Sequence, residues 1–164
     1  MEMCSAIGAN LQRGMNFRLK GVESIILMSL RLGAPYADRI EDEGRTLIYE
    51  GHDVARTVGM PNPKKVDQPD RNPGGSLTQN GLFAAAAQKY KDGGAPPERV
   101  RVYEKIRTGI WVYNGLFKLV DWWTEQSGGR NVFKFKLQLV GNDEGSRPAV
   151  APLCQKTIGL SPAG

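Results

Sequence analysis

Histidine is almost missing from this chain of 164 residues: His52 stands alone. A metal-dependent nuclease that takes its ligands and general base from histidine needs several, and a Ser-His-Asp or Cys-His device could rest only on His52. Cysteine is nearly as scarce. Cys4 and Cys154 lie near opposite ends, with neither metal-ligand spacing nor the density of a disulfide scaffold, and read as two reduced thiols of a cytosolic protein. Long apolar runs are lacking too. The best, Val22 to Leu32, is interrupted by Glu23, Ser24, Ser29 and Arg31, short of the roughly 18 residues a membrane span needs. Met1 to Asn16 does not have the basic-then-apolar order of a signal peptide. No internal repeat, low-complexity tract or phosphate-binding glycine loop occurs. The expected location is the cytoplasm, without a membrane, cofactor or metal.

What is present is an apolar share of 40%, enough for a core, with 20 glycines and 10 prolines that call for many turns rather than a helical bundle. A net charge of +5 leans toward a polyanionic partner. Val22 to Leu30 is rich enough in apolar residues for a buried strand, broken by Gly33-Ala34-Pro35. Tyr36 to Gly44 is acidic and turn-like, and Arg45 to Glu50 reads as a strand ended by Gly51. Val54 to Gly75 is a long loop, which in a compact domain is functional or disordered. Ser76 to Tyr90 carries a helix with Leu77, Phe83, Ala84, Ala87 and Tyr90 near one face, capped by Ser76 or Thr78. Strands are expected at Arg99–Lys105, Leu116–Trp123 and Asn131–Leu139, the last with Lys134 and Lys136 on a solvated face. Gly109 and Gly115 read as turn glycines, and Trp111, Tyr113, Trp122 and Trp123 as core or seam residues. Met1 to Gly21 reads as a short helix or loose arm, and pattern is lost after Gly141. The order suggests an α+β domain with a strongly curved sheet or closed barrel.

Two constellations invite a functional reading. Tyr36 and Tyr49 flank a turn with Asp38 and Asp42 and lie beside Glu50. Two rings can sandwich a flat base, and a carboxylate can accept from an exocyclic amine such as that of cytosine. Pattern alone favours packing tyrosines and a solvated acidic turn. The second group is Arg56, Lys64, Lys65 and Arg71 in the loop, with Arg99, Arg101 and Lys105 on one strand face beside Tyr103; such charges can track phosphates. The acidic cluster Asp38, Glu41, Asp42 and Glu43 is the basis for a rival, a metal-dependent nuclease holding Mg²⁺.

In chain order, these residues resemble the SRA (SET and RING associated, or YDG) domain. Val112-Tyr113-Asn114-Gly115-Leu116-Phe117-Lys118-Leu119-Val120 looks like the family's Tyr-Asp-Gly signature and the apolar strand after it. Gly33-Ala34-Pro35-Tyr36-Ala37-Asp38 through Leu47-Ile48-Tyr49-Glu50-Gly51 resembles its pocket region. Asp67-Gln68-Pro69 and Leu77-Thr78-Gln79-Asn80-Gly81 look like the opening of its long helix, and Arg99 to Tyr103 like its next strand. The likeness spans about Lys20 to Leu139. Asn114 replaces the signature aspartate, and Glu50 stands where eukaryotic members commonly have threonine.

The resemblance implies a PUA-like fold, a strongly twisted mixed sheet or barrel with flanking helices. It also implies a DNA-binding reader of 5-methylcytosine or 5-hydroxymethylcytosine that flips the base into an aromatic pocket, without catalysis of its own. Tyr36 and Tyr49 would stack on the base, Asp38 or Asp42 would bond its edge with Asp38 preferred, Glu50 would join them, and Ala34 would offer backbone groups. The wording is closest to bacterial members that precede an HNH nuclease in modification-dependent restriction. The expected partners are therefore double-stranded DNA with modified cytosine, a nuclease domain or subunit, and a second copy of the chain, in a bacterial nucleoid. The expected division is an arm at 1–19, the SRA domain at 20–140 and a tail or linker at 141–164. An RNA-binding PUA-like module is the other alternative.

Overall fold

The computed structural model describes residues 14–19, 21, 23–29, 38–107, 110–140 and 150–151. Strands β1 (Met15–Leu19), β2 (Glu23–Met28), β3 (Arg39–Glu41), β4 (Thr46–Glu50), β5 (Glu98–Arg107), β6 (Ile110–Ser127) and β7 (Arg130–Leu139) form one sheet in the order β1-β2-β5-β6-β7-β4-β3; a short β8 (Val150–Ala151) pairs with β6. The pairing of β2 with β5 is parallel, and the other strand pairs are antiparallel. Helix α1 (Gln79–Lys91) is the one α-helix among the described residues. The class is α+β, as the sequence suggests. The sheet twists strongly but does not close, because among the described residues no ladder joins its β1 and β3 ends. Of the two sheet forms expected, the curved open sheet is the one found, not the closed barrel.

The main core lies between the concave face of the sheet and α1. Met15, Ile26, Met28, Leu47, Tyr49, Val100, Val102, Phe117, Leu119, Phe133, Phe135 and Leu137 meet Phe83, Ala84 and Ala87 of the helix. The N-cap of α1 is Thr78, whose hydroxyl accepts from the Gly81 amide, so an otherwise orphaned helix N–H is satisfied. Gln79 fixes the helix to β1 by accepting from the Phe17 amide at 2.6 Å, and Lys91 pairs with Asp121 of β6 at 2.6 Å.

Two strands escape a simple alternation for the same physical reason. In β1, Arg18 takes a left-handed φ of 44° and the register shifts between Asn16 and Leu19. Met15 and Phe17 therefore pack on the main core, while Leu19 joins a second cluster of Ile25, Leu27 and Tyr103. In β6, Tyr113 pairs with Tyr103 and Gly115 with Val102, leaving Asn114 as the extra residue of a bulge. Trp111 and Tyr113 lie with the second cluster, and Phe117 and Leu119 with the first. The signature-like Tyr113-Asn114-Gly115 is thus the hinge where one 18-residue strand changes faces. Gly115 sits at φ 121°, where a side chain would be strained and a Cβ would lie 3.0 Å from Leu139. It is a bulge glycine inside a strand rather than a turn glycine. Asn114 donates to Glu104 Oε1 at 3.1 Å, a bond the signature's ionised aspartate could not donate. Gly109 lies outside the described residues.

Met15–Leu19, which the sequence reading left in an arm, is a strand of the sheet, and Val150–Ala151 of the tail pairs with Trp111 and Val112. The long loop between β4 and α1 is folded onto β7. Beyond the end of β4, Gly51 N donates to Phe133 O and Gln68 N to Asn131 O, so the loop continues the ladder along an otherwise bare strand edge. Gly51 is where the loop, α1 and β7 converge. A Cβ there would run into Asn80 Oδ1 and come to 2.9 Å of Gln68 Oε1 and 3.0 Å of Phe133 Cβ. Gly51→Ala is expected to lower stability by about 1–3 kcal/mol through overpacking in urea unfolding, whereas Gly59→Ala, with nothing within 4 Å, stays near wild type. Equal midpoints for the two variants would show that the junction is loose.

Candidate functional site

The gap in the curved sheet falls where the end of β2 faces the end of β4, and side chains span it. The Tyr49 hydroxyl donates to Leu27 O at 3.2 Å. Asp38, at the entry to β3, accepts from the Glu50 amide at 3.0 Å through Oδ1 and from the Ser29 amide at 3.5 Å through Oδ2. The hairpin β3–β4 holds Asp38 there, with Arg39 opposite Ile48. Desolvation pushes the Asp38 carboxyl up to about 7, against the pull of its two amide donors and Lys134, with the nearby Glu50 adding to the rise. Asp38 is therefore a carboxyl that titrates near neutrality at a seam that no ladder seals among the described residues.

Its neighbours are placed differently from one another. Tyr49 packs into the core at 3% exposure, its hydroxyl against Gly14 as well as Leu27. Glu50 is the next strand residue, so its side chain leaves the opposite face. There it lies directly across from Lys134, with Oε1 3.2 Å from Nζ, and 3.9 Å from the Arg130 guanidinium. Tyr49 and Glu50 thus do not line one surface, and it is the Glu50 backbone amide that meets Asp38. Asp42 sits at the exposed hairpin tip, where its carboxylate accepts from the Thr46 hydroxyl at 2.8 Å. Tyr36 and Ala34 lie outside the described residues.

Behind Glu50 is a buried network that the sequence reading missed. Arg130 bonds Asp53 at 2.8 Å and donates to Pro63 O and Val66 O. Asp53 also pairs with Lys64 at 2.9 Å and accepts from Gln68. Burial works against ionisation of Asp53, but hydrogen bonds from Lys64, Gln68 and Arg130 outweigh it and hold the carboxyl below its ordinary value. Lys134, expected on a solvated face, is 2% exposed, because the loop covers that face and Glu50 neutralises the charge. Lys136 is half-buried. Only strand register could have revealed the Glu50–Lys134 pairing.

The basic residues fall into two groups rather than one track. Arg56, Lys64, Lys65 and Arg71 are exposed on the loop. Lys64 is paired with Asp53, and Arg71 donates to Gly75 O. Arg99, Arg101 and Lys105 lie on β5, which β6 separates from β7 and its loop. Arg99 is exposed. Arg101 pairs with Glu23 at 2.6 Å, and Lys105 Nζ lies 5.9 Å from the centre of the Trp111 ring. The loop also holds a residue not singled out from sequence. Thr57 and Met60 form a bridge, and the turn between them presents Val58 at 101% exposure beside Arg56. Among the described residues, no three side chains of the metal-ligating kinds gather into a possible metal centre, and no helix is long and apolar enough to cross a membrane.

No family model matches the chain. One curated relative, the histone-lysine N-methyltransferase family member SUVH2 of Arabidopsis thaliana, is 30% identical over 113 residues, 68% of this chain. The chain spans only 16% of that relative's length. Among solved structures, the SRA domain of SUVH5 in complex with fully methylated CG DNA superposes with a TM-score of 0.57 at 26% identity, covering 87% of this chain and 84% of that one. The complex of the same domain with hemimethylated CG DNA gives 0.56 at 26% identity, covering 86% and 83%. These relatives do not include the bacterial nuclease-linked members expected from the sequence. Chain order, fold and these likenesses together support an SRA domain.

Proposed function

We propose that this chain is a DNA-binding reader of modified cytosine, 5-methylcytosine or 5-hydroxymethylcytosine, which captures the base after it rotates out of the duplex. The observation that carries the reading is Asp38, a carboxyl titrating near 7 at the unsealed seam between β2 and β4, in a fold shared with SRA domains solved on methylated DNA. Asp38 meets the base edge. The Tyr49 ring forms the floor beneath, reached when the cover at Gly14 and Leu27 gives way. Tyr36 and Ala34 supply the second ring and backbone groups. Glu50 contributes its backbone at the seam and its carboxylate to the network behind. Asp42 shapes the hairpin tip.

The energetics fit such a division of labour. Flipping costs a few kcal/mol of stacking and pairing, and stacking on aromatic rings returns about 1–3 kcal/mol per base. The phosphate contacts fall to Arg56, Lys64, Lys65 and Arg71 on one side and Arg99, Arg101 and Lys105 on the other, and make binding fall steeply with salt. Val58 is suited to enter the stack as an apolar wedge, a side chain that unstacks a base step at the cost of a few kcal/mol and is compensated by added contact. The role of recognition module in a modification-dependent restriction system, with a nuclease domain or subunit alongside and the chain working singly or in pairs, remains part of the proposal. It is tested by whether the intact native protein cuts methylated but not plain plasmid.

Otherwise identical duplexes carrying cytosine, 5-methylcytosine and 5-hydroxymethylcytosine decide the central claim. Modified duplexes are expected to bind more tightly, with both classes weakening as salt rises. Val58→Ala should reduce affinity for modified DNA by about tenfold, as loss of a wedge does, and change plain-DNA binding far less. Equal affinity for all three duplexes at several salt concentrations ends the reading.

A further inference from the structure

Arg130 opens β7 immediately after the Gly128–Gly129 turn, whose φ angles of 63° and 84° make the tight two-residue reversal from β6. Its guanidinium is 6% exposed. It gathers contacts from three places along the chain: Glu50 at the end of β4, Asp53 just beyond it, and the carbonyls of Pro63 and Val66 at the far end of the loop. Nη1 makes the contacts to Asp53, Pro63 and Val66, and Nη2 faces Glu50; the rigid fork holds two nitrogens in these two directions at once, whereas an ammonium offers its donors from a single atom. The next residue continues the fastening, because Asn131 N donates to Asp67 at 2.8 Å and Gln68 N to Asn131 O. Between these anchors runs the segment with Arg56, Val58, Lys64 and Lys65.

We infer that Arg130 is a positioning residue that holds this loop in register with the end of β4, so that loop contact with DNA and capture of the base act as one event. The inference rests on the reader function proposed above. Arg130 touches no base in this scheme. It acts on the end of β4, where the Glu50 amide meets Asp38, mainly through Asp53 at 2.8 Å, the Glu50 carboxylate being farther at 3.9 Å, and through the loop backbone, whose tip carries Val58. Ion-pair and hydrogen-bond networks can carry coupling of this kind, and Arg130, bonded to Asp53, Pro63 and Val66 and 3.9 Å from Glu50, joins the loop to the end of β4.

The test has an arm that does not depend on DNA. In the free protein, Arg130→Lys is expected to raise amide exchange at Gly51 and Gln68 together by about tenfold, relative to the Phe117 and Leu119 amides of β6, as a jointly released unit would show. In the DNA arm, the preference for 5-methylcytosine over cytosine should drop by roughly tenfold, with plain-DNA binding within about twofold. Val58→Ala, costly in the wild type, should cost little more in the Arg130→Lys background, the non-additivity expected of coupled groups. Asp53→Asn, which removes the loop-side charge and keeps the shape, should move all three readouts in the same direction and decides the matter if Arg130→Lys does not fold. Unchanged or unlinked exchange at Gly51 and Gln68 overturns the inference. So does a folded Arg130→Lys protein with a lower melting temperature but full discrimination, the signature of a merely structural role. A wild type that fails to discriminate overturns the reader function instead, and the exchange arm still reports on the clamp.

Discussion

Asp38→Ala is expected to abolish the preference for modified-cytosine DNA while salt-sensitive binding to plain duplex survives. Asp38→Asn is expected to keep that preference and lose its pH dependence. The reason is the match between an uncharged carboxyl and cytosine. A neutral carboxyl offers one O–H donor and one acceptor, and an ionised one only acceptors. Cytosine's edge presents the N4 amine as donor and N3 as acceptor, so the neutral form pairs with both, whereas the carboxylate faces the N3 lone pair. With Asp38 titrating at about 7, affinity for modified DNA should fall as pH rises through neutrality. The asparagine amide has the same donor–acceptor pair at every pH. Losing the pair outright is worth about 1–3 kcal/mol, or roughly ten- to a hundredfold in affinity. Plain duplex, held by its phosphates, suffers less. Anisotropy titrations at about pH 5.5 and about pH 8.5, with both duplexes and all three proteins, carry the test. If Asp38→Ala discriminates as well as wild type, Asp38 does not read the base.

The same carboxyl has a stability consequence of definite sign. Its folded-state value of about 7 lies above the ordinary 3.8, so between these the folded chain holds a proton that the unfolded chain has released. The contribution is most favourable below about pH 4 and declines as pH rises to about 7; above that, the buried charge costs at most about 4 kcal/mol, less with solvent screening. Asp38→Asn should therefore flatten the stability profile across this window and gain most at its alkaline end.

How far the sequence foretells this geometry depends on what each residue needs. The strands at Glu23–Met28, Thr46–Glu50 and Arg130–Leu139 and the helix at Gln79–Lys91 follow from local apolar pattern, because each keeps one face on the main core along its length, and Glu23–Met28 buries its other face in the second cluster. The strand at Met15–Leu19 does not, because the left-handed Arg18 sends Leu19 to a different cluster from Met15 and Phe17. Gly115 misleads in the same way, since a bulge and a turn ask for the same residue. Asp38, whose carboxyl lies at the seam, is singled out in sequence by its spacing after Tyr36 and by the resemblance, and its contact with a base is a proposal. The part played by Glu50 is not legible in the sequence. A carboxylate beside a tyrosine in sequence suggests a shared pocket, but neighbours on a strand face opposite ways. Lys134 looks solvated for the complementary reason: alternation identifies the second face of a strand without saying that a loop of distant sequence covers it.

That covered face leads to the largest stability effect expected. Glu50 is 4% exposed, Lys134 2% and Arg130 6%. Breaking a buried pair by removing one partner costs about 3–5 kcal/mol, because the desolvated charge left behind has lost its compensation. Glu50→Ala should approach that, lowering the melting temperature by roughly 10 °C or more at this size. Glu50→Gln keeps the shape and a hydrogen-bond acceptor, so it should cost about half as much. Replacing both partners, Glu50→Leu with Lys134→Met, should restore much of the loss, since a packed apolar pair pays no desolvation penalty. The cost should also resist added salt, which screens buried pairs little. A loss below about 1 kcal/mol for Glu50→Ala, or one removed by salt, would mark an ordinary surface pair and contradict the covered face. The comparison also divides the two acids by role. Glu50→Gln should lower stability while the folded protein discriminates modified from plain DNA within about threefold of wild type, because its carboxylate lies behind the strand. Asp38→Ala should do the reverse, losing discrimination in a protein that remains folded.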